Sequence, residues 1–353
     1  DETHVTFKNG ISAGTVLLFK KGAVIASGQP AGTVPSTQFE VLNLASEFYG
    51  RSSMIDTAKP VILKGYTSLN DGGFGLFQYD LSISRRDANG GTLIDPTVSI
   101  TQQGTGLGQG VWVRQYEHRI SPLWFGVQDV LVHNMIAMGT PRHGDMLEVE
   151  GYHSVNDGGE GTFYWNETIP KNLHDGGAII DPMQPYPAVW NNTQNMNDWF
   201  RPNPMGTGCW VRQGSHIARA EWFGATANGQ DISLTMQGIT NAIKNGTVDA
   251  LAFGKGEYLF SGPGRLVITS RTEHFQLLGS AHDSKLVFIP GCARTPISFA
   301  ECKGVDIKDM VSLNRNGAED ILELLNCSDV KIEDNEFYNF TDGGIRLQEN
   351  TAG

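Results

Sequence analysis

The thirteen residues GYTSLNDGGFGLF at 65–77 return as GYHSVNDGGEGTF at 151–163, with nine identities. A repeat of that density means a duplicated unit, and it constrains the fold before any other property of the chain. The match continues downstream. NGGTLIDP at 89–96 answers DGGAIIDP at 175–182, GVWVRQ at 110–115 answers GCWVRQ at 208–213, and Trp124-Phe125-Gly126 answers Trp222-Phe223-Gly224. The spacing between blocks is fixed except within 183–207, where the second copy carries twelve extra residues. Constant spacing around one variable segment is the pattern of a duplicated fold with a loop insertion.

Each block has a local reading. Asn-Asp-Gly-Gly supplies the left-handed backbone angles of a tight turn, and the alternation that follows enters a half-buried strand. DGGxxIDP is a second hairpin signal, with Pro96 and Pro182 ending the strand. WVRQ is a short alternating strand whose tryptophan fills a small core. The glycines and tryptophans are read as structural, because they fall at turns and core positions. Each copy is therefore expected to be a compact, mostly β domain, at 37–127 and 128–225.

Bulk properties narrow the function. The 43 glycines among 353 residues exceed the usual share of roughly 7% and favour short strands joined by turns. A net charge of −12 without a Lys/Arg block excludes the electrostatic footprint of a nucleic-acid binder. Four cysteines do not make a disulfide framework and read as small buried thiols. The nine histidines lack metal-site spacing, and no nucleophile elbow or phosphate loop is present, so no metal or cofactor is expected. No apolar run approaches the roughly 18 residues of a spanning helix, so no membrane insertion is expected.

After the second copy the pattern changes. In 228–246, apolar residues at 232, 236, 239 and 243 have helical spacing, with Asp231 as N-cap and Asn245-Gly246 as the stop. Short strands follow from 249. FAECKGVDIKDM at 299–310 then matches LLNCSDVKIEDN at 324–335 at an offset of 25, and Ile345 and Asn350 lie 24 past Ile321 and Asn326. A period of 24–25 with alternating strands and Asn/Gly turns predicts a parallel β-helix. Cys302 should stack on Cys327, Val305 on Val330, Ile307 on Ile332, and Asn326 on Asn350, at about the 4.8 Å interstrand distance.

These residues together resemble bacteriophage tailspikes: the GY…DGGxGxF…DGG…GxWVRQ…WFGA block, a helix, then FGKGEYLFSG…LLGSAHDSKLVF and β-helix coils. The resemblance covers about 37–353 and is most specific over 222–290. It implies a mainly β chain: tandem small β domains followed by the start of a right-handed parallel β-helix at 226–353, its near end covered by the helix. It also implies a homotrimer on the virion tail that contacts host capsule, exopolysaccharide or lipopolysaccharide. Residues 1–36 match no motif and would by analogy face other tail or baseplate proteins.

Cleaving members of such a family use paired carboxylates, which a glycosidase holds about 5–5.5 or 6.5–9.5 Å apart. The repeat nominates Asp309 with Asp334, although beside their polar neighbours they read first as solvated turn residues; Glu319, Asp320 and Glu323 form a second acidic group of the same kind. The middle coils that carry the groove in this fold are expected beyond Gly353, leaving this portion inactive as an enzyme. For glycan contact, Tyr186, Trp190 and Trp199 on the inserted loop offer flat amphipathic rings, unless they tuck against the domain or a neighbouring subunit. Two other readings stand beside the depolymerising tailspike: a non-enzymatic virion fibre or adaptor, and a secreted bacterial polysaccharide lyase or epimerase.

Overall fold

The computed structural model of the chain describes residues 39–349 apart from 139–140, 215, 281–282 and 341–343. The expected segment at 1–36 lies outside them. Among the described residues no helix is long and apolar enough to cross a membrane.

Two small sheets come first. One is built from β1 (Glu40–Leu44), β2 (Val61–Gly65), β3 (Gly75–Ser84), β4 (Leu93–Ile94) and β5 (Gln109–Arg114), with a single-turn α1 (Glu47–Gly50) after β1. The other is built from β6 (Arg119–Ile120), β7 (Met146–Val149), β8 (Gly161–Pro170), β9 (Ile179–Ile180) and β10 (Thr207–Arg212). Their strand orders are identical, β1-β2-β3-β5-β4 and β6-β7-β8-β10-β9. Trp112 lies between Tyr79 and Ile94 in the first, and Trp210 between Trp165 and Ile180 in the second. Both tryptophans are fully buried, as the repeat predicts.

The shared phrase folds as its residues dictate. Asn70 and Asn156 are left-handed, with φ of 61° each. The following carboxylate then gathers the turn: Asp71 accepts from the N–H of Tyr66, Thr67, Ser68 and Gly73, and Asp157 from Tyr152, His153, Ser154 and Gly159. Partial burial pushes both carboxyls upward, but four backbone donors outweigh it and hold them below the usual carboxylate range.

The modules are joined by a buried arginine. Arg114 donates to the carbonyls of Gly91, Phe74 and Gly73 (2.9, 2.6 and 3.0 Å). Its guanidinium lies 4.6 Å from the Phe77 ring and 4.5 Å from that of Trp124. Arg212 repeats this with Gly177, Glu160 and Gly159 (3.2, 2.9 and 3.0 Å), stacked between Phe163 at 4.4 Å and Trp222 at 4.7 Å. Burial pulls the two pKa values down, to about 9 and about 10, so both stay charged at neutral pH. Two glycines per copy make room. A Cβ at Gly75 or Gly161 would stand 2.0 or 2.2 Å from the arginine Nη1, and one at Gly91 or Gly177 would meet the ring of Phe125 or Phe223 within 2.4–2.5 Å.

The second aromatic of each clamp comes from the next unit along the chain. In the first sheet the edge strand is continuous, β1 pairing β2 from Glu40 to Leu44. In the second, β6 pairs β7 only at Arg119 and Ile120. The chain then leaves the edge as a 3-10 turn over Pro122–Phe125 and returns where Leu131 bridges Gly151. Trp222 sits likewise in a 3-10 turn over Ala220–Phe223, after β11 (Ile217–Arg219), which already belongs to the third unit. The sheets thus change hands earlier than the expected limits at 127/128 and 225/226, because each Trp-Phe-Gly turn reaches back from the following unit.

The third unit is a parallel β-helix. It comprises β11, β12 (Asn228–Asp231), β13 (Ala250–Ala252), β14 (Gly256–Phe260), β15 (Leu266–Thr269), β16 (Phe275–Leu278), β17 (Ser284–Phe288) and β18 (Ile297–Ala300). It continues through β19 (Lys303–Lys308), β20 (Val311–Asn314), β21 (Asp320–Leu325), β22 (Ser328–Glu333), β23 (Glu336–Tyr338) and β24 (Gly344–Gln348). These stack as three sheets, β11-β13-β16-β19-β22, β12-β14-β17-β20-β23 and β15-β18-β21-β24. Val305 pairs in parallel with Val330 and Ile307 with Ile332, as predicted. Cys302 is buried and Cys327 packs partly buried on the same core, and both are free thiols.

Two details differ from the sequence reading. Ile345 stacks on Leu322 rather than Ile321, because the β21/β24 register shifts between Asp320 and Leu322; Asn350 lies outside the described residues. The helix, α3, spans Met236–Lys244 and starts later than expected. Asp231 ends β12 instead, and its carboxylate accepts from the N–H groups of Ser233 and Ser261. Ile232, Met236, Ile239 and Ile243 are all buried, as their helical spacing predicts. In the first coil α3 follows β12 where later coils carry a strand of the third sheet, and it covers β15, with Val267 N–H donating to Thr240 Oγ1.

Arg212→Met keeps an apolar stem but leaves three carbonyls without their donor. It should lower the unfolding free energy by about 3–5 kcal/mol and open the link after β10 to limited proteolysis. Arg212→Lys should not restore it, since a point charge cannot reach three carbonyls in one plane. Urea unfolding with proteolysis of the folded state checks both, and a loss under about 1 kcal/mol contradicts the clamp.

Candidate functional site

The inserted segment of the second module is not a free loop. Asn192 accepts from Asn195 N–H and starts α2 (Thr193–Phe200). The spacing of Met196, Trp199 and Phe200 puts them on one face, and all three are fully buried. Trp199 Nε1 donates to Tyr152 Oη (2.9 Å), which donates to Gly176 O (2.9 Å), and Trp199 O bonds to His174 Nε2 (2.7 Å). Phe200 O accepts from Asn241 Nδ2 on α3 at 2.8 Å. The helix is a wedge between the second module and the β-helix cap. Trp199 therefore has no face to offer a sugar, because the loop folds into an amphipathic helix that buries it.

Tyr186 and Trp190 stay half-buried. Tyr186 Oη bonds to His153 Nδ1 at 2.9 Å, and His153 Nε2 to Gly224 O at 3.0 Å. A neutral ring donating from Nε2 and accepting at Nδ1 satisfies both. Burial keeps His153 below its ordinary pKa, against the opposing Gly224 carbonyl and the Asp157 charge. Trp190 stands edge-on to His153 at 4.3 Å and to Tyr152 at 5.5 Å. The outer part of this cluster, with exposed Met183 and Val189 from the same insertion, is the apolar surface the insertion presents.

Asp309 and Asp334 follow β19 and β22 as left-handed turn residues, with φ of 59° and 54°. They occupy equivalent positions one coil apart, Asp309 half-buried and Asp334 exposed. The coil carboxylates near them are engaged. Lys308 Nζ is 2.8 Å from Glu333, and that hydrogen bond holds Glu333 below its ordinary range. Burial pushes Asp306 up, but the hydrogen bond and charge of His274, 3.3 Å away, bring it down overall. In the second acidic group, Glu319 pairs with Arg294, and Glu323 accepts from Ser298 Oγ at 3.0 Å. A glycosidase general acid needs the opposite shift, upward. Among the described residues no group of three His, Cys, Asp or Glu is placed to hold a metal ion.

Arg114, Arg212 and the Tyr152–His153 pair are not among the residues expected from the sequence. A signal for the arginines existed: each stands two residues after its tryptophan in a strand, and so on the tryptophan's core-facing side.

Residues 132–215 match the family model of a phage tail protein small four-stranded beta-sheet domain. Among the described residues, the strands within that span are β7–β10. No curated protein matches the chain. Among solved structures it is similar to a glycan biofilm modifying enzyme of Pantoea stewartii with a bacteriophage tailspike-like parallel β-helix fold (13% identity, 66% of this chain and 37% of that one, TM-score 0.40). It is also similar to a tailspike protein of Acinetobacter baumannii bacteriophage Fri1, a capsular polysaccharide depolymerase (12%, 64% and 50%, 0.31). A third is the enzymatically active domain of tailspike protein 4 of bacteriophage CBA120 (12%, 89% and 41%, 0.31). The chain thus spans between 37% and 50% of the length of these three.

Trp199→Ala should destabilise the chain by about 3–5 kcal/mol, since it removes a fully buried indole and the donor that Tyr152 Oη accepts from. Trp190→Ala should cost about 1–2 kcal/mol, as a half-buried ring at the cluster's edge. Chemical denaturation of both variants checks the order; equal losses contradict it.

Proposed function

We propose that this chain is the proximal part of a phage tailspike that mediates attachment to host surface polysaccharide. One observation carries the reading: a span matching a phage tail β-sheet domain leads directly, through the Arg212 clamp, into a parallel β-helix. The duplicated modules act as a rigid stem and the coils as the support of the glycan-contacting surface. Residues 1–36 dock to other tail proteins, and the working form is a homotrimer on the virion tail. Tyr186 and Trp190 remain candidates for sugar contact, whereas buried Trp199 serves the stem.

The whole protein is a polysaccharide depolymerase, and this portion binds without cleaving. Asp306 and Glu333, beside Asp309 and Asp334, favour that division, since their ion pairs hold them below the ordinary carboxylate range, opposite to the shift a general acid needs. A purely adhesive fibre is distinguished by activity of the complete reading frame.

Residues 1–353 should sediment as a trimer, bind capsular or O-chain polysaccharide of the host and release no reducing ends, while the complete protein releases them. Sedimentation, glycan binding and reducing-end assays read these three points. A monomeric chain that binds no host glycan contradicts the proposal, and cleavage by residues 1–353 would move the active site onto the described coils, with Asp309→Asn and Asp334→Asn the next variants.

A further inference from the structure

The second turn of each module is built alike except for one atom. In the first, Asn89 Oδ1 accepts from the N–H of Gly91, Thr92 and Leu93 (3.0, 2.9 and 3.1 Å), while Nδ2 donates to Thr92 Oγ1 at 2.8 Å. In the second, Asp175 Oδ1 accepts from Gly177, Ala178 and Ile179 (2.9, 2.7 and 2.9 Å). The position of Thr92 is now Ala178, yet Oδ2 again faces a threonine hydroxyl. It is Thr247 Oγ1 at 3.4 Å, from the segment that follows α3. That hydroxyl donates its own proton to Ala242 O at 2.7 Å, which leaves it an acceptor towards Asp175.

We propose that Asp175 is carried as a neutral carboxylic acid that donates from Oδ2 to Thr247, forming a proton-dependent latch between the second module and the helical cap of the β-helix. The sister module supports this directly, because the amide of Asn89 does the same work with an obligate donor in the same place. The side chain is fully buried. Tyr152, Cys209 and Arg212 face it from its own module, and Arg212 directs its donors at three carbonyls. From the α3 side it meets Thr247, which does not titrate. Burial pushes Asp175 up to about 7, against the pull of its backbone donors. The same boundary holds two further bonds, Asn245 Nδ2 to Leu173 O and Asn241 Nδ2 to Phe200 O.

The sign of the pH dependence follows. Asp175 binds its proton more tightly folded than unfolded, so its contribution is complete below 3.8 and is lost as pH rises through about 7. Its neighbour His174 works the other way. Burial pulls it to about 4 from 6.5, so its contribution is complete above 6.5 and is lost as pH falls towards 4. The two oppose each other under acid conditions, and above pH 6.5 Asp175 acts alone.

The test is thermal unfolding of residues 1–353 against pH, with Asp175→Asn as the variant that keeps the donor and cannot ionise. The native chain should lose about 1 °C in Tm between pH 6.5 and 8.5, whereas the variant stays level over that range. An identical slope in both, or a variant weaker by the same amount at every pH, overturns the latch. Thr247→Val deletes the acceptor and should weaken the native chain and Asp175→Asn alike below pH 6.5, while the native slope above it, set by burial, remains. If either variant fails to fold, the carboxyl carbon of Asp175 in the native chain decides by NMR: a titration midpoint near neutrality supports the latch, and full ionisation from pH 5 upward overturns it.

Discussion

A guanidinium buried under a Gly-Gly turn is the interaction on which the rest of this structure depends. Placing a charge there is unfavourable unless each guanidinium nitrogen has an acceptor. Arg114 and Arg212 each meet the requirement with three backbone carbonyls and two aromatic faces. The carbonyls and one ring belong to the arginine's own module, and the second ring is contributed by the next unit. Neither arginine is fully enclosed without the unit that follows, so assembly along the chain is written into the desolvation of one side chain.

This explains why the glycines of the repeat are where they are. A side chain at Gly161 would occupy the guanidinium's place, and one at Gly177 would displace Phe223. It also explains the split edge of the second sheet. The backbone abandons β-pairing after Ile120 so that Trp124 can reach Arg114, and it resumes pairing at Leu131. The first module makes no such excursion, and its edge strand runs unbroken.

Much of the fold was legible because its signals are local. Asn-Asp-Gly-Gly needs left-handed angles wherever it occurs, and Trp112 and Trp210 mark the same core position twice. The β-helix was legible only where its turns have equal length. Val305 lies 25 residues before Val330, but Phe275 lies 30 before Val305, chiefly because the turn between β16 and β17 is longer than that between β19 and β20. The candidate site was harder to read. Whether an aromatic in an insertion faces water depends on the helix that insertion forms, and Trp199 turned inward because Met196 and Phe200 share its face. Ionic partners such as His274 for Asp306 come from a neighbouring coil and leave no trace in the local sequence.

The central claim is that one interaction, used twice, couples successive units. Double-mutant cycles on Arg114 with Trp124 and on Arg212 with Trp222 measure it most directly, with each arginine changed to Met and each tryptophan to Leu. Both cycles should return coupling energies of about 1–3 kcal/mol, similar in size at the two junctions. Additive losses at either junction, with coupling below about 0.5 kcal/mol, would show that the units are held together by something other than the shared guanidinium.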